Sequence, residues 1–234
     1  MSANHSTGSC CHDRQQSHSQ TLAHELMCHF PYAIFAVAMS LAALSLLGYG
    51  SVTPESANGM HGLFHTLHFL HILFASTGTV IVFRKFGGSV LSSLVVGSVV
   101  PAIFCTLSDA IMPYLGGKLF GIHMHFHWCF HDHFFTVGPF LAIGVLNGLL
   151  MSMHDDAGQD RYLATSHFLH IFISAFASTV YMISHGFYTW QDNMAFVFVY
   201  LLAAVLVPCT LADVVVPTWF GLQSAQRRAR RKDA

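Results

Sequence analysis

Six stretches of about 20 mostly apolar residues punctuate this chain, near 30–50, 63–83, 90–114, 134–153, 167–187 and 194–216. A helix rising about 1.5 Å per residue crosses a hydrocarbon layer about 30 Å thick in that length. No water is available in lipid to satisfy exposed backbone N–H and C=O groups, so an apolar stretch of this kind is confined to the α-helix. Only 9% of the residues are charged, against about 25% in a soluble domain. The expected fold is an all-α integral membrane protein of about six transmembrane helices. A net charge of −1 gives no footing for a nucleic-acid partner. Lipid is the expected environment, and self-association into a homo-oligomer is compatible with it.

The polar links fit the spans. Residues 51–59 are turn-rich, Arg84 and Lys85 close the second stretch, and 154–161 is polar. Basic residues concentrate on the cytoplasmic side of a membrane. Arg84, Lys85, Arg161 and the run from Arg227 to Lys232 share one side if both termini are cytoplasmic, with Lys118 alone opposite. Residues 1–23 are then a cytoplasmic tail carrying His5, Cys10, Cys11, His12 and His18, with no signal-peptide core, and 222–234 a basic cytoplasmic tail. Trp190 and Trp219 are expected at the two interfaces flanking the last span. The second and fifth stretches carry several Ser, Thr and Gly residues, which favours helix–helix contact over lipid.

The chain repeats itself. His68-Phe69-Leu70-His71-Ile72 recurs as His167-Phe168-Leu169-His170-Ile171, and Phe74-Ala75-Ser76-Thr77 as Phe176-Ala177-Ser178-Thr179. Cys105-Thr106-Leu107-Ser108-Asp109 returns as Cys209-Thr210-Leu211-Ala212-Asp213, with Pro113 and Pro217 four residues beyond the acids, and His29-Phe30 matches His133-Phe134. The offsets are 99, 102, 104 and 104, and a small insertion in the fifth stretch accounts for the drift. Chance similarity between apolar helices yields Leu and Ala matches, not repeated His and Asp. Residues 24–117 and 118–221 are therefore expected to be two three-helix repeats. With an odd number of spans in each, the second inserts upside down relative to the first, as in inverted-repeat carriers whose sites lie near the midplane.

The 18 histidines are the chemical signal. His61, His65, His68 and His71 form a stripe along one helix face. Imidazole within a bilayer is costly unless it is hydrogen-bonded, meets water or binds something. One such His can simply bridge helices; four in a stripe, with copies at His167 and His170, point to a ligand-lined path. The densest cluster is His123, His125, His127, Cys129, His131, Asp132 and His133, expected at an outer mouth. Alternation over 123–127 suits an extended segment that turns three rings to one side. Imidazole and thiolate together suit transition metals such as zinc and iron. Asp109 and Asp213 are expected to add carboxylate ligands, while the cysteines inside spans behave as small apolar residues.

No Walker loop, dinucleotide fingerprint, HExxH or covalent-haem CxxCH occurs in the chain. The expected function is secondary transport of a divalent transition-metal ion, zinc or iron(II), rather than catalysis. A membrane-embedded b-haem or di-metal oxidoreductase is the main rival, and an assembly subunit of a membrane complex the third reading. Inverted repeats would place His68/His71 and His167/His170 in opposite leaflets, which weighs against a di-metal enzyme.

Overall fold

The computed structural model describes residues 18–47, 54–127, 134–154 and 156–232. Helices α1 (His18–Leu47), α2 (Pro54–Lys85) and α3 (Val90–Thr106) lead into a π-helical turn, π1 (Leu107–Ile111), and α4 (Met112–Leu119). Then follow α5 (Phe134–Met151), α6 (Asp156–Ser184), α7 (Met194–Thr210), a second π-turn, π2 (Leu211–Val215), and α8 (Val216–Lys232). The described residues contain no strand. Five helical stretches are long and apolar enough to cross a membrane, and the shorter apolar helix Phe135–Met151 packs among them. The chain is thus a multi-pass helical membrane protein. The basic residues from Arg227 to Arg231 are helical and continue α8.

Helices α2 and α6 are the axis of the bundle. Burial covers 72% of the apolar stretch in each, against 33% for α1 and for α3–α4. They make the most extensive contact of any pair, and α1 packs on α6 while α5 packs on α2. Their small hydroxyl residues face other helices. Ser76 donates to the Gly97 carbonyl at 2.6 Å and Thr77 to that of Gly144 at 3.1 Å. Thr79 donates to Ala212 at 3.0 Å, and Ser178 to Ser108 at 3.0 Å. The last two bonds are counterparts, since Ser178 lies 99 residues after Thr79 and Ala212 lies 104 after Ser108.

Helix boundaries keep the same two offsets. Lys85 and Ser184, which end α2 and α6, are 99 apart; Val90 and Met194, which open α3 and α7, are 104 apart. The drift therefore belongs to the connections 86–89 and 185–193, not to an insertion within the fifth stretch. An insertion inside a continuous helix would rotate every later side chain away from its partner. The Phe-Ala-Ser-Thr match at offset 102 accordingly falls out of register. Trp190 also departs from expectation: it is 1% exposed and packed into the core from the connection before α7, whereas Trp219 is 43% exposed.

Close approach of α5 to α2 depends on Gly144 and Gly148. A Cβ at Gly144 would lie 2.6 Å from the Leu73 carbonyl oxygen, and one at Gly148 would lie 2.8 Å from that of Thr77. Backbone cannot yield as a side chain tip can, so Gly148→Val is expected to destabilise the detergent-solubilised protein by about 1–3 kcal/mol. Gly138 on the same helix has open space around it, so Gly138→Ala should leave the melting temperature unchanged or slightly raised. Thermal melts of the two variants check both.

Candidate metal centre

Two prolines set the position of two acids. Proline has no N–H for the carbonyl four residues earlier, so Pro113 and Pro217 withhold a helical bond from Asp109 and Asp213. The chain answers by widening in the preceding turn. The Met112 N–H reaches back to the Leu107 carbonyl and the Val216 N–H to that of Leu211, each spanning five residues. Such π-bulges are rare and are frequent at functional sites. Here each carries its aspartate into the bundle, where Asp109 is fully buried and Asp213 is 5% exposed.

Asp109 accepts four hydrogen bonds. The Nδ1 atoms of His68 and His71 reach its Oδ2 at 2.8 and 2.6 Å, and the hydroxyls of Ser108 and Ser174 donate to Oδ1 at 2.7 Å each. The second half holds a looser counterpart: the Nδ1 atoms of His167 and His170 both lie 3.3 Å from Asp213 Oδ2. The two groups meet. His71 Nε2 is 3.0 Å from His170 Nε2, with the rings edge-on at 87°. Both residues sit near the middle of their helices, so the crossing of α2 and α6 brings them together. This corrects the expectation of separate leaflets, and with it the argument against a di-metal centre.

Two neutral imidazoles bring two protons, enough for His71 to donate to Asp109 and for one hydrogen between His71 and His170. His170 Nδ1 lies 3.3 Å from Asp213 Oδ2 without a hydrogen bond.

The histidine stripe on α2 divides. His68 and His71 belong to the centre, while His61 and His65 join His127 in a second group. That group opens on a cavity of about 530 Å³ lined also by His123, His125 and His185. Residues 122–127 form neither helix nor strand, and His123, His125 and His127 line one space together with Phe126, while Met124 is buried. Phe64, fully buried, touches both groups: its ring stacks on His68 at 5.4 Å and meets His65 at 5.2 Å and Tyr181 at 5.0 Å. Three sets of donors lie within 4.8 Å of one another and can each hold an ion: His68/His71/Asp109, His71/His170/Cys209, and His61/His65/His127.

No family model, curated protein or solved structure matches this chain. The site therefore stands on its geometry.

Of the residues singled out from sequence, Cys129, His131, Asp132 and His133 lie outside the described residues, as does the tail 1–17. His167, His170 and Asp213 join His68, His71 and Asp109 in one place, and His61, His65, His123, His125 and His127 gather in another. Sequence reasoning missed Cys105 and Cys209, treated as small apolar residues although each opens a repeated motif. Both thiols are free and buried, 3.7 Å from His71 Nε2. It also missed His185, Phe64 and Ser174, for which only the tertiary contacts give a signal.

His185 lies beyond the end of α6, with its Nδ1–H directed to the Tyr181 carbonyl at 2.8 Å. Burial, followed by the neighbouring histidines His61, His127 and His125, lowers its pKa to about 4. The folded state thus binds fewer protons than the unfolded one between that value and the ordinary pKa of about 6.5. Its contribution to stability is complete above that ordinary value and is lost as pH falls towards 4. His185→Asn should flatten the fall in melting temperature across this window relative to the parent protein, as thermal melts at closely spaced pH values would reveal.

Proposed function

We propose that this chain is a secondary transporter of divalent transition-metal ions, zinc or iron(II), built from inverted repeats at 24–117 and 118–221. The observation that carries this reading is the buried junction of His71 and His170. Each is backed by an aspartate on a π-turn, and the pair sits midway along the two central helices. Matching π-turns, matching hydroxyl-to-carbonyl bonds and the crosswise packing of α1 on α6 and α5 on α2 support the paired construction. In this reading the histidine-lined cavity captures the ion on the non-cytoplasmic side, with both termini cytoplasmic. Phe64 separates capture from the midplane, and rocking of one repeat against the other exposes the centre to each side in turn. Coupling to protons follows from ligand chemistry, because imidazole and thiol must be unprotonated to bind.

A membrane-embedded metalloenzyme is the second reading, favoured by the convergence of four imidazoles on one point. Its b-haem form fits the geometry poorly. Metal–nitrogen bonds of about 2 Å on either side of a porphyrin hold trans nitrogens about 4 Å apart, and His71 and His170 are 3.0 Å apart with edge-on rings.

Reconstitution into liposomes tests the proposal. Zinc-driven fluorescence of an entrapped chelating dye should rise with the parent protein and fall at least about tenfold for His71→Ala or His170→Ala. Exposed His154→Ala should behave as the parent. Uptake should weaken as pH drops below about 6, since only neutral imidazole donates a lone pair. No ion flux from correctly inserted protein, together with a Soret band or a redox-active metal, would move the enzyme reading ahead.

A further inference from the structure

His61 and His65 stand one turn apart on α2, the spacing by which one helix offers two imidazoles to a single ion. His127 reaches them from the segment 122–127, where its backbone N–H donates to the Tyr181 hydroxyl at 3.2 Å. Tyr181 is fully buried and packs on Phe64 at 5.0 Å, so this third imidazole is anchored to the core through α6. One ring nitrogen from each of the three lies within 4.8 Å of the other two, and no further His, Cys, Asp or Glu joins the group among the described residues.

The ring positions can be compared with those around an ion. A metal bound at about 2.0–2.1 Å to an imidazole nitrogen lies about 3.2 Å from the ring centre. Two rings on one ion then have centres about 5.2 Å apart at the tetrahedral angle and about 4.5 Å apart at a right angle. The observed separations are 5.2 Å for His61 and His127, 5.2 Å for His65 and His127, and 4.5 Å for His61 and His65. The rings cross at 69°, 77° and 78°, and none of the three pairs is stacked.

We infer that His61, His65 and His127 form a second metal site, a three-imidazole face with a remaining coordination position that opens into the cavity and takes water or a small monodentate anion. His61 and His127 line the cavity, whereas His65 sits behind them with Phe64 and Phe69 against its ring at 5.2 and 5.7 Å. An ion on this face has protein on its inner side and about 530 Å³ of open volume on its outer side. Three protein ligands and one open position characterise metal sites that exchange a ligand, while four protein ligands close a site. The inference deepens the transporter reading, on which it rests only for the ion being cargo; the ligand set stands on the ring geometry.

Charge selects what fills the open position. Imidazoles bind metal in their neutral form, so a divalent ion keeps its full charge on this face. The cavity lining offers no carboxylate or thiolate to meet that charge, and Asp109 is committed to His68 and His71. Hydroxide, chloride or a similar anion bound directly to the ion supplies it instead. Imidazole donors without carboxylate suit zinc, copper(II) and nickel over hard ions such as magnesium and calcium.

Cobalt(II) is the probe, added to the detergent-purified full chain, with azide as the anion. His71→Ala together with His170→Ala removes the buried centre, so the cavity site is read alone. Cobalt should there give visible bands that azide shifts, saturating at one azide-sensitive ion per chain. His61→Ala, His65→Ala and His127→Ala should each weaken cobalt affinity by at least about tenfold and abolish the azide shift. His125→Ala, in the same cavity but outside the trio, should keep both. Circular dichroism and the size-exclusion profile should stay unchanged throughout. If the double variant does not fold, the three single changes are read in the native chain as difference spectra against the parent. Bands indifferent to azide overturn the open position. An azide shift that survives His65→Ala, or that is lost in His125→Ala alone, overturns the ligand set. Liposome uptake of zinc separates the two claims: azide-sensitive bands without uptake remove the transporter and keep the site, and uptake with azide-indifferent bands removes the site and keeps the transporter.

Discussion

Everything in this bundle is arranged around the cost of holding two carboxylates and four imidazoles in a medium that solvates neither. A carboxylate in hydrocarbon is tolerable only when its lone pairs are filled and its charge is met. Asp109 achieves this with two imidazole nitrogens and two hydroxyls within 2.8 Å. Those partners come from α2, from π1 and from α6, so satisfying one acid pins three elements to one another. Helix association in lipid lacks a hydrophobic drive between apolar surfaces and depends on packing and polar contacts. The buried acid is thus an organising contact for the fold as well as a chemical group.

The prolines link local chain chemistry to that contact. A proline inside a helix normally kinks or breaks it. Placed four residues after an aspartate, it leaves the acid's carbonyl without a helical donor and favours a π-turn that carries the carboxylate inward. Ser178 on α6 and Thr79 on α2 then bond the carbonyls of Ser108 and Ala212 within the two π-turns. Strain of backbone hydrogen bonding in one half is relieved by a hydroxyl from the other.

The halves are similar but unequal, and the inequality has a direction. Asp109 is held by short bonds, whereas Asp213 sits at 3.3 Å from its histidines with Gly78 against it. The histidines that continue the stripe of α2 towards the cavity, His61 and His65, have Asp160 and Ala164 at the positions 99 residues later. One side of the centre is therefore approached through imidazoles and Phe64.

The six apolar stretches, the repeated acid and histidine motifs, and the inward side of α2 and α6 were legible because lipid imposes length, helicity and burial rules that act on each segment alone. His123, His125 and His127 do share one space, but Phe126 shares it too, so strict alternation does not account for that lining. Crossing geometry was not legible. Whether His71 and His170 lie in different leaflets or touch depends on where two antiparallel helices meet, and no local pattern encodes that point. The same holds for Cys105 and Cys209: a cysteine in an apolar helix is a small hydrophobe until another helix aims a nitrogen at it. Trp190 was misplaced because the fate of a connecting segment depends on what it packs against. Composition and period determined which residues must be inside; only the tertiary structure decided which of them meet, because contact between helices is a property of the pair and is written in neither one.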